Sequence, residues 1–516
     1  MSDQTRAFPE QPNLRFLKLE AKRRLAAGEF ATLHDAQLAV AREHGLSSWA
    51  VLKEFVTAQP GEPRPALAHV QWLVSRFRDA DGAGWAPPSG DELREHFTDY
   101  FLSVVPPATV TETLTQAAPM LGEELLVTQE TELGVRARIG GLQVEAAIEP
   151  DLPNRLSGLR VYRLSQHVTD RRVAAEPAVS ATGPVPAEAA AVAGESFAEL
   201  GLPGLALAGA GGVGGVGGAG GAGGAGGSAG PAWSLAQGWA SLEPAKALQA
   251  RHRFPAYSIT KLITATVVLR LVAEGRVALD DPANRHLRTV RLADDAVTVR
   301  ELLTHTGGVA SPGELFASTV PELVALAGPV MACPGPRGTF RYSKGGYGML
   351  GQLIADTTGS GYQEAAGSLV LRPLGMTDSF FPGGWPDRDA VTGYELTDDG
   401  SFAEVPAHVC TLPAAGGLWA SAPDLALFAV AWDSLLPAEL AREALRPQAS
   451  RGAPGTHMGL GWLLHQDKDL AGHAGGGVGA ATSLILHLGS GRASVAMTNR
   501  HVPIEPVNAR LLRPVA

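Results

Sequence analysis

Cysteine is scarce in this chain: Cys333 and Cys410 are the only two in 516 residues. They have no CxxC spacing, which argues against a disulfide framework and against a Cys-based zinc site. Lysine is rare as well, with seven residues, and the net charge is −10. Nucleic-acid binding calls for clustered Lys and Arg. No basic run is longer than Lys22–Arg24, which a solvated helix face explains, so nucleic acid is not expected as a partner. No uninterrupted apolar run reaches membrane-spanning length; the longest candidates carry charge or are rich in Gly. The start, MSDQTRAFPE, lacks a charged segment followed by an apolar one, so no secretory signal is visible and a soluble, cytoplasmic protein is expected. What the chain does have is apolar mass. Apolar residues make up 45% and charged residues 18%, enough for a large core in about two to four domains.

Residues 12–58 read as a small module of short helices, with Leu14, Leu17, Leu25 and a second segment from Leu33 to His44 at roughly helical spacing. HDAQLAVAREHGLSSWAVLKEF, starting at His34, resembles the helical leader found ahead of some bacterial ankyrin-repeat proteins. No ankyrin repeat follows, and no protein partner of this module is identified. A Pro-rich joint, QPGEPRP from Gln59, leads to residues 65–165. There the pattern predicts helices over 67–79, 91–103 and 108–120, then strands over Glu124–Thr131, Gly134–Ile139, Leu142–Glu149 and Leu156–Tyr162. Gly140-Gly141 marks a hairpin between the second and third strands. Helices followed by a meander predict a small α+β domain. HFTDYFLSVVPPATVTETL, from His96, resembles the cystatin-like, NTF2-like domain that precedes a β-lactamase-like domain in a clavulanate-cluster family. Residues 166–195, rich in Ala, Val and Pro, read as a linker, and 196–516 as the largest domain. Inside it, 209–230 is almost pure Gly and Ala, a composition that cannot pack a core and reads as a flexible insert. No GxxxxGK[ST] occurs, so it is not expected to hold a phosphate.

The chemistry concentrates in three segments. In FPAYSITKLITATVVLRLVAEG (254–275), Ser258 starts a long apolar helix that Gly275 ends, and Lys261 follows three residues later on the same face. A serine hydroxyl is a poor nucleophile until a base takes its proton. A lysine made neutral by burial can be that base, and the helix N-terminus offers N–H groups to a developing oxyanion. A helix cap with a surface lysine is the bland alternative. However, no other lysine has a Ser three positions before it. In GTFRYSKGGYGMLGQL, Tyr342 and Ser343 precede a helix, and Gly345-Gly346 allow close backbone approach. A phenol beside a lysine can share a proton shuttle. In LAGHAGGGVGAATSLILHL, His473, Gly475 and Gly476 lead an alternating strand whose glycines permit substrate to lie close.

In this order the segments resemble the serine β-lactamase and penicillin-binding protein superfamily, nearest to class C β-lactamases, HxG-type DD-peptidases and family VIII esterases. YSITK matches SxxK, Tyr342-Ser343 the start of YxN, and His473-Ala474-Gly475 the HxG counterpart of KTG. The resemblance covers roughly 196–500. It implies an α+β fold: an antiparallel sheet packed by helices, with a helical lobe inserted between the Ser258 helix and the His473 strand. It also implies that Ser258 becomes acylated while Lys261 and Tyr342 move protons. The N–H groups of Ser258 and Gly476 would form the oxyanion hole, and His473 would meet a substrate carboxylate as a cation or donor, or tune Tyr342. Lys344, Gly475 and Gly476 fall among the substrate-binding positions. No cofactor or metal is implied. Lys344 departs from the family, which has Asn there: an amide donates and accepts, whereas an ammonium only donates and carries charge. His305, in LLTHTGG, reads as a structural loop residue. The leading expectation is an acyl-enzyme hydrolase of small esters, amides or β-lactams. A DD-peptidase is disfavoured by the missing export signal. The rival is a penicillin-binding-like protein that binds or regulates with little turnover.

Overall fold

Alternation along Gly134–Ile139 and Leu142–Ile148 fixes one sheet: Val135, Ala137, Ile139, Leu142, Val144, Ala146 and Ile148 are all buried, the period-2 signature of a sheet with one face packed. The computed structural model describes residues 65–77, 87–98, 125–131, 134–140, 142–148, 155–163, 168–169, 179–211, 233–311, 316–317, 319–386, 389–396, 401–451 and 455–512, and isolated positions between 21 and 118. The chain divides into a unit of residues 1–64 and a unit of residues 65–516. The expected helical leader over 12–58, the expected helix over 108–120 and the insert beyond Gly211 lie, apart from isolated positions, outside the described residues.

Helix α1 (Pro65–Phe77) lays Ala66, Val70, Leu73 and Val74 onto a four-stranded antiparallel meander. Its strands are β1 (Leu125–Thr131), β2 (Gly134–Ile139), β3 (Leu142–Ile148) and β4 (Leu156–Arg163). Gly140 turns the hairpin with φ +61°. Between α1 and β1, helix α2 (Gly90–His96) opens on a reciprocal cap: Ser89 Oγ accepts the Glu92 amide, and Glu92 accepts the Ser89 amide at 2.8 Å. It ends earlier than the expected 103. Phe97 turns extended and is fully buried, and the Thr98 amide donates to Leu156 O at 3.0 Å, so edge pairing to β4 outcompetes another helical turn.

The expected linker over 166–195 instead holds three elements among the described residues, the first being Val168–Thr169, which pairs antiparallel with Phe402 and Ala403. Strand β5 (Val179–Thr182) pairs antiparallel with the strand Trp233–Ser241, and helix α3 (Ala187–Leu200) buries Ala189, Val192, Ala193 and Phe197. Those positions form a helical stripe, but small side chains give it little contrast against the flanking Ala and Val.

Among the described residues, ten strands form the main sheet. The labelled ones are β5, β6 (Gly204–Ala210), β7 (Trp233–Ser241), β8 (Ala449–Ser450), β9 (Thr456–Met458), β10 (Leu463–His465), β11 (Leu470–Gly477), β12 (Ala480–His487) and β13 (Arg492–Thr498). The order runs β8-β9-β10-β11-β12-β13-β6-β7-β5, with Lys246-Ala247 pairing beside β7. Strands 481–498 and 205–210 thus join the two ends of this region. Alternation sorts the two faces. Leu205 and Leu207 meet α3 and the helix Glu505–Arg510, whereas Ala206, Ala208, Val495 and Met497 face the larger core.

That larger core surrounds helix α4 (Thr260–Ala273), in which eleven of fourteen residues are buried. A helix apolar on every side belongs inside a protein. Between α4 and β11 the chain adds helices including α5 (Val299–Leu303), α6 (Lys344–Thr358) and α7 (Pro413–Gly416); α4 touches both α6 and α7. The segment just before α4, the segment just before α6 and the outer half of β11 converge on Ser258. β10 pairs with β11 only as far as Gly472, so within the sheet residues 473–477 pair with β12 alone, and their other side meets the segment before α4.

Candidate active site

The backbone is bent sharply just before α4. Tyr257 has φ +45°, a left-handed conformation costly for a bulky side chain, and its hydroxyl donates to Val478 O at 2.6 Å. The next residue, Ser258, sits half-buried in a one-turn 3₁₀ segment that continues into α4. The start of α4 is tied to the segment after α7, since Thr260 Oγ1 accepts the Leu418 amide at 3.1 Å. Glycine is required opposite. A Cβ on Gly475 would stand 2.3 Å from Ala256 O and 3.1 Å from Ser258 N, and one on Gly476 would stand 2.7 Å from the His501 ring. Close approach of β11 to Ser258 therefore excludes any side chain at 475.

Lys261, one turn on, is fully buried. Its Nζ lies 3.1 Å from Ser258 Oγ and donates to Ala415 O at 2.7 Å. No carboxylate is paired with it among the described residues. Burial lowers its pKa from 10.5 to about 7, with Cys410 opposing weakly. Half of such a lysine is neutral near pH 7, the state in which it accepts a proton.

Tyr342 reaches the same oxygen: its hydroxyl donates to Ser258 Oγ at 2.8 Å, and Lys261 Nζ lies 4.9 Å from its ring centroid. Burial raises the phenol pKa, while the bond to Ser258 and the Lys344 charge pull it down. Because 40% of the residue stays open to solvent, screening keeps the upward shift modest. Ser343 is spent on structure. Its Oγ caps α6 by accepting the Gly346 amide at 2.9 Å and donates to Ala310 O at 3.2 Å. Lys344 begins α6 with its amide on Ser311 Oγ at 3.0 Å, and its charge bears on the Tyr342 phenol.

His473 differs from the expected cation or donor. It is buried, and its Nδ1 lies 2.7 Å from Ala474 O, an acceptor, so Nδ1 carries the proton and Nε2 a lone pair. Burial, then Lys261, lowers its pKa to about 3. A neutral imidazole with a bare Nε2 offers a substrate neither charge nor N–H, which leaves the tuning of Tyr342, 6.3 Å away between ring centroids. Two neighbours escaped the sequence reading. His305, taken as a loop residue, packs its ring against Tyr342, tilted by 41° with centroids 4.5 Å apart. Arg451, over the Phe340 ring at 5.6 Å, adds positive charge near Tyr342, and no motif marks it.

A family model described as Beta-lactamase matches residues 187–515, more than half of the chain. The chain belongs to the β-lactamase family. The match begins at the first residue of α3, in keeping with that helix being part of this fold rather than a linker. This β-lactamase-family chain is 33% identical over 278 residues to Esterase EstB of Burkholderia gladioli, spanning 44% of this chain and 70% of that protein. It is 29% identical over 275 residues to Penicillin-binding protein 4 of Amycolatopsis lactamdurans, spanning 48% and 72%. The crystal structure of SurE superposes with TM-score 0.51 at 29% identity, over 63% of this chain and 75% of that one. The family's coarse chemistry is acyl transfer from small-molecule substrates by serine hydrolases. Among the described residues no helix is long and apolar enough to cross a membrane.

Proposed function

We propose that the protein hydrolyses small acyl substrates through a covalent acyl-enzyme on Ser258. The reading rests on one observation: a single serine oxygen is held by both a buried lysine, at 3.1 Å, and a tyrosine hydroxyl, at 2.8 Å. Ser258 Oγ attacks the carbonyl carbon and its proton passes to neutral Lys261. Lys261 and Tyr342 relay that proton to the leaving group, then activate the water that cleaves the acyl-enzyme. The amides of Ser258 and Gly476 receive the oxyanion, and the missing side chain at Gly475 lets β11 lie against Ser258. The preferred substrate class is a small ester, in line with the similarity to an esterase. A short-chain p-nitrophenyl ester and a chromogenic cephalosporin, followed by turnover and by intact mass, test this. Steady turnover of the ester with a transient acyl mass supports it. A burst with no turnover supports instead the slow-turnover binding protein that Lys344 suggests.

Lys344→Asn separates two roles for that lysine. The amide restores an acceptor for a substrate acylamide and removes a cation that lowers the Tyr342 pKa. Cephalosporin turnover is expected to rise about three- to tenfold relative to ester turnover, the worth of one hydrogen bond, and the alkaline limb should move to higher pH. Equal changes on both substrates would assign Lys344 to the proton shuttle alone.

A further inference from the structure

His305 is buried at 2% exposure in a left-handed conformation, φ +58°. A non-glycine residue is uncommon there, and such strain persists where the surroundings over-determine it. Here they do. The carbonyl of His305 accepts the Arg341 amide at 2.8 Å, and Nδ1 accepts the Ser343 amide at 3.1 Å. The ring lies 4.5 Å from Tyr342, tilted by 41°, and 5.0 Å from Tyr347. One residue thus grips the peptide on both sides of Tyr342 and packs on its ring.

The same bonds decide its proton. Because the Ser343 amide must donate, Nδ1 is the acceptor and neutral His305 carries its hydrogen on Nε2. His473 has the opposite tautomer. Both Nε2 atoms are buried with no hydrogen-bond partner among the described residues. The groups facing His305 are cationic or neutral: Lys261 from α4, His473 from β11, Arg451 after β8, and the phenols of Tyr342 and Tyr347. Burial, then these charges, hold His305 uncharged through neutral pH. It can therefore sit beside Lys261 without adding a charge that would compete for the proton.

We propose that His305 is a positioning residue for hydrolysis, acting through Tyr342: its backbone carbonyl, its Nδ1 and its ring together hold the Tyr342 hydroxyl over Ser258. The inference rests on the role assigned above to Tyr342 and goes beyond it. Misplacing a catalytic group by about 1 Å can cost about 10²-fold in rate.

The test is a mutant cycle on the full chain with a p-nitrophenyl ester. His305→Phe keeps a ring but cannot accept the Ser343 amide. It should lower kcat by about 10- to 100-fold while KM stays within about threefold. His305→Asn tolerates a left-handed backbone and offers Oδ1 to the same amide, so it should return kcat to within about fivefold of wild type. On a Tyr342→Phe background, His305→Phe should cost less than about threefold, because the group it positions is gone. A loss that stays multiplicative on that background overturns the proposal, as does a folded His305→Phe with wild-type kcat. If Tyr342→Phe alone leaves hydrolysis intact, the role of Tyr342 falls first. Should His305→Phe not fold, ¹⁵N-histidine NMR of the wild-type protein decides. At pH 7 His305 must be neutral with its proton on Nε2, and an Nδ1–H or an imidazolium overturns the proposal.

Discussion

Ser258→Ala protein incubated with a p-nitrophenyl ester is expected to gain no acyl mass and show no burst, whatever the incubation time. Acylation needs an oxygen that is both exposed to substrate and served by a base. Ser258 Oγ alone among the described hydroxyls here has Lys261 and Tyr342 together. No neighbour can replace it. Ser343 Oγ is engaged by the Gly346 amide and Ala310 O, and Thr260 Oγ1 by the Leu418 amide. The Tyr342 phenol is pushed up in pKa and is a weaker nucleophile for it. Any residual hydrolysis is expected without an adduct, at the level of general-base attack by water, since binding and oxyanion donors survive removal of a nucleophile. The fold should hardly notice. Lys261 keeps its bond to Ala415 O, so the loss is the two hydrogen bonds to Ser258 Oγ, or about 2 kcal/mol. In a protein this size that lowers Tm by no more than about 4 °C. An adduct of undiminished yield in a folded Ser258→Ala protein would remove Ser258 from the mechanism.

Features written in local spacing were legible in the sequence, and those created by burial were not. The three-residue step from Ser258 to Lys261 needs only a helix to put both on one face, and the structure has them 3.1 Å apart. Strands β1 to β4 were legible within a residue or two at their ends because their alternation is strong and Gly140 marks the turn. Helix α3 was not, because a stripe of Ala189, Val192 and Ala193 has little contrast with the Ala-rich flanks. The end of α2 depends on Phe97 finding β4, a contact about sixty residues away in sequence. At the site, the motifs named Tyr342 and His473 but not the charge state of His473. That is set by the depth at which β11 places it and by Lys261. His305 carries no catalytic motif. Its importance appears only when its Nδ1 is seen on the Ser343 amide and its ring on Tyr342.

Lys261→Met should nearly abolish acylation and, unusually for a buried substitution, raise Tm, with a larger gain at pH 6 than at pH 9. The kinetic part follows from the loss of the base. A positioned general base is worth about 10²–10⁴-fold, and a loss much smaller than that would mean Tyr342 suffices. In the wild type the base must be neutral, so kcat/KM should climb about tenfold per pH unit below 7 and level off above it. The stability part follows from the same pKa. Lys261 titrates at about 7 when folded and near 10.5 when unfolded. Between those values the unfolded chain binds more protons, so stability rises with pH. Below pH 7 the folded chain holds a buried charge, and the full destabilisation is present, on the order of 5 kcal/mol. At pH 9 only the cost of deprotonating the lysine remains, about 2 kcal/mol. Methionine fills similar space and carries no charge, but it leaves Ala415 O without its donor, which costs about 1–3 kcal/mol. The balance favours the variant clearly at pH 6 and is near zero at pH 9. Thermal melts at the two pH values measure it, with the wild type as reference. A variant less stable than wild type at pH 6 would show that Lys261 is stabilised as a cation, and so could not act as a neutral base near pH 7.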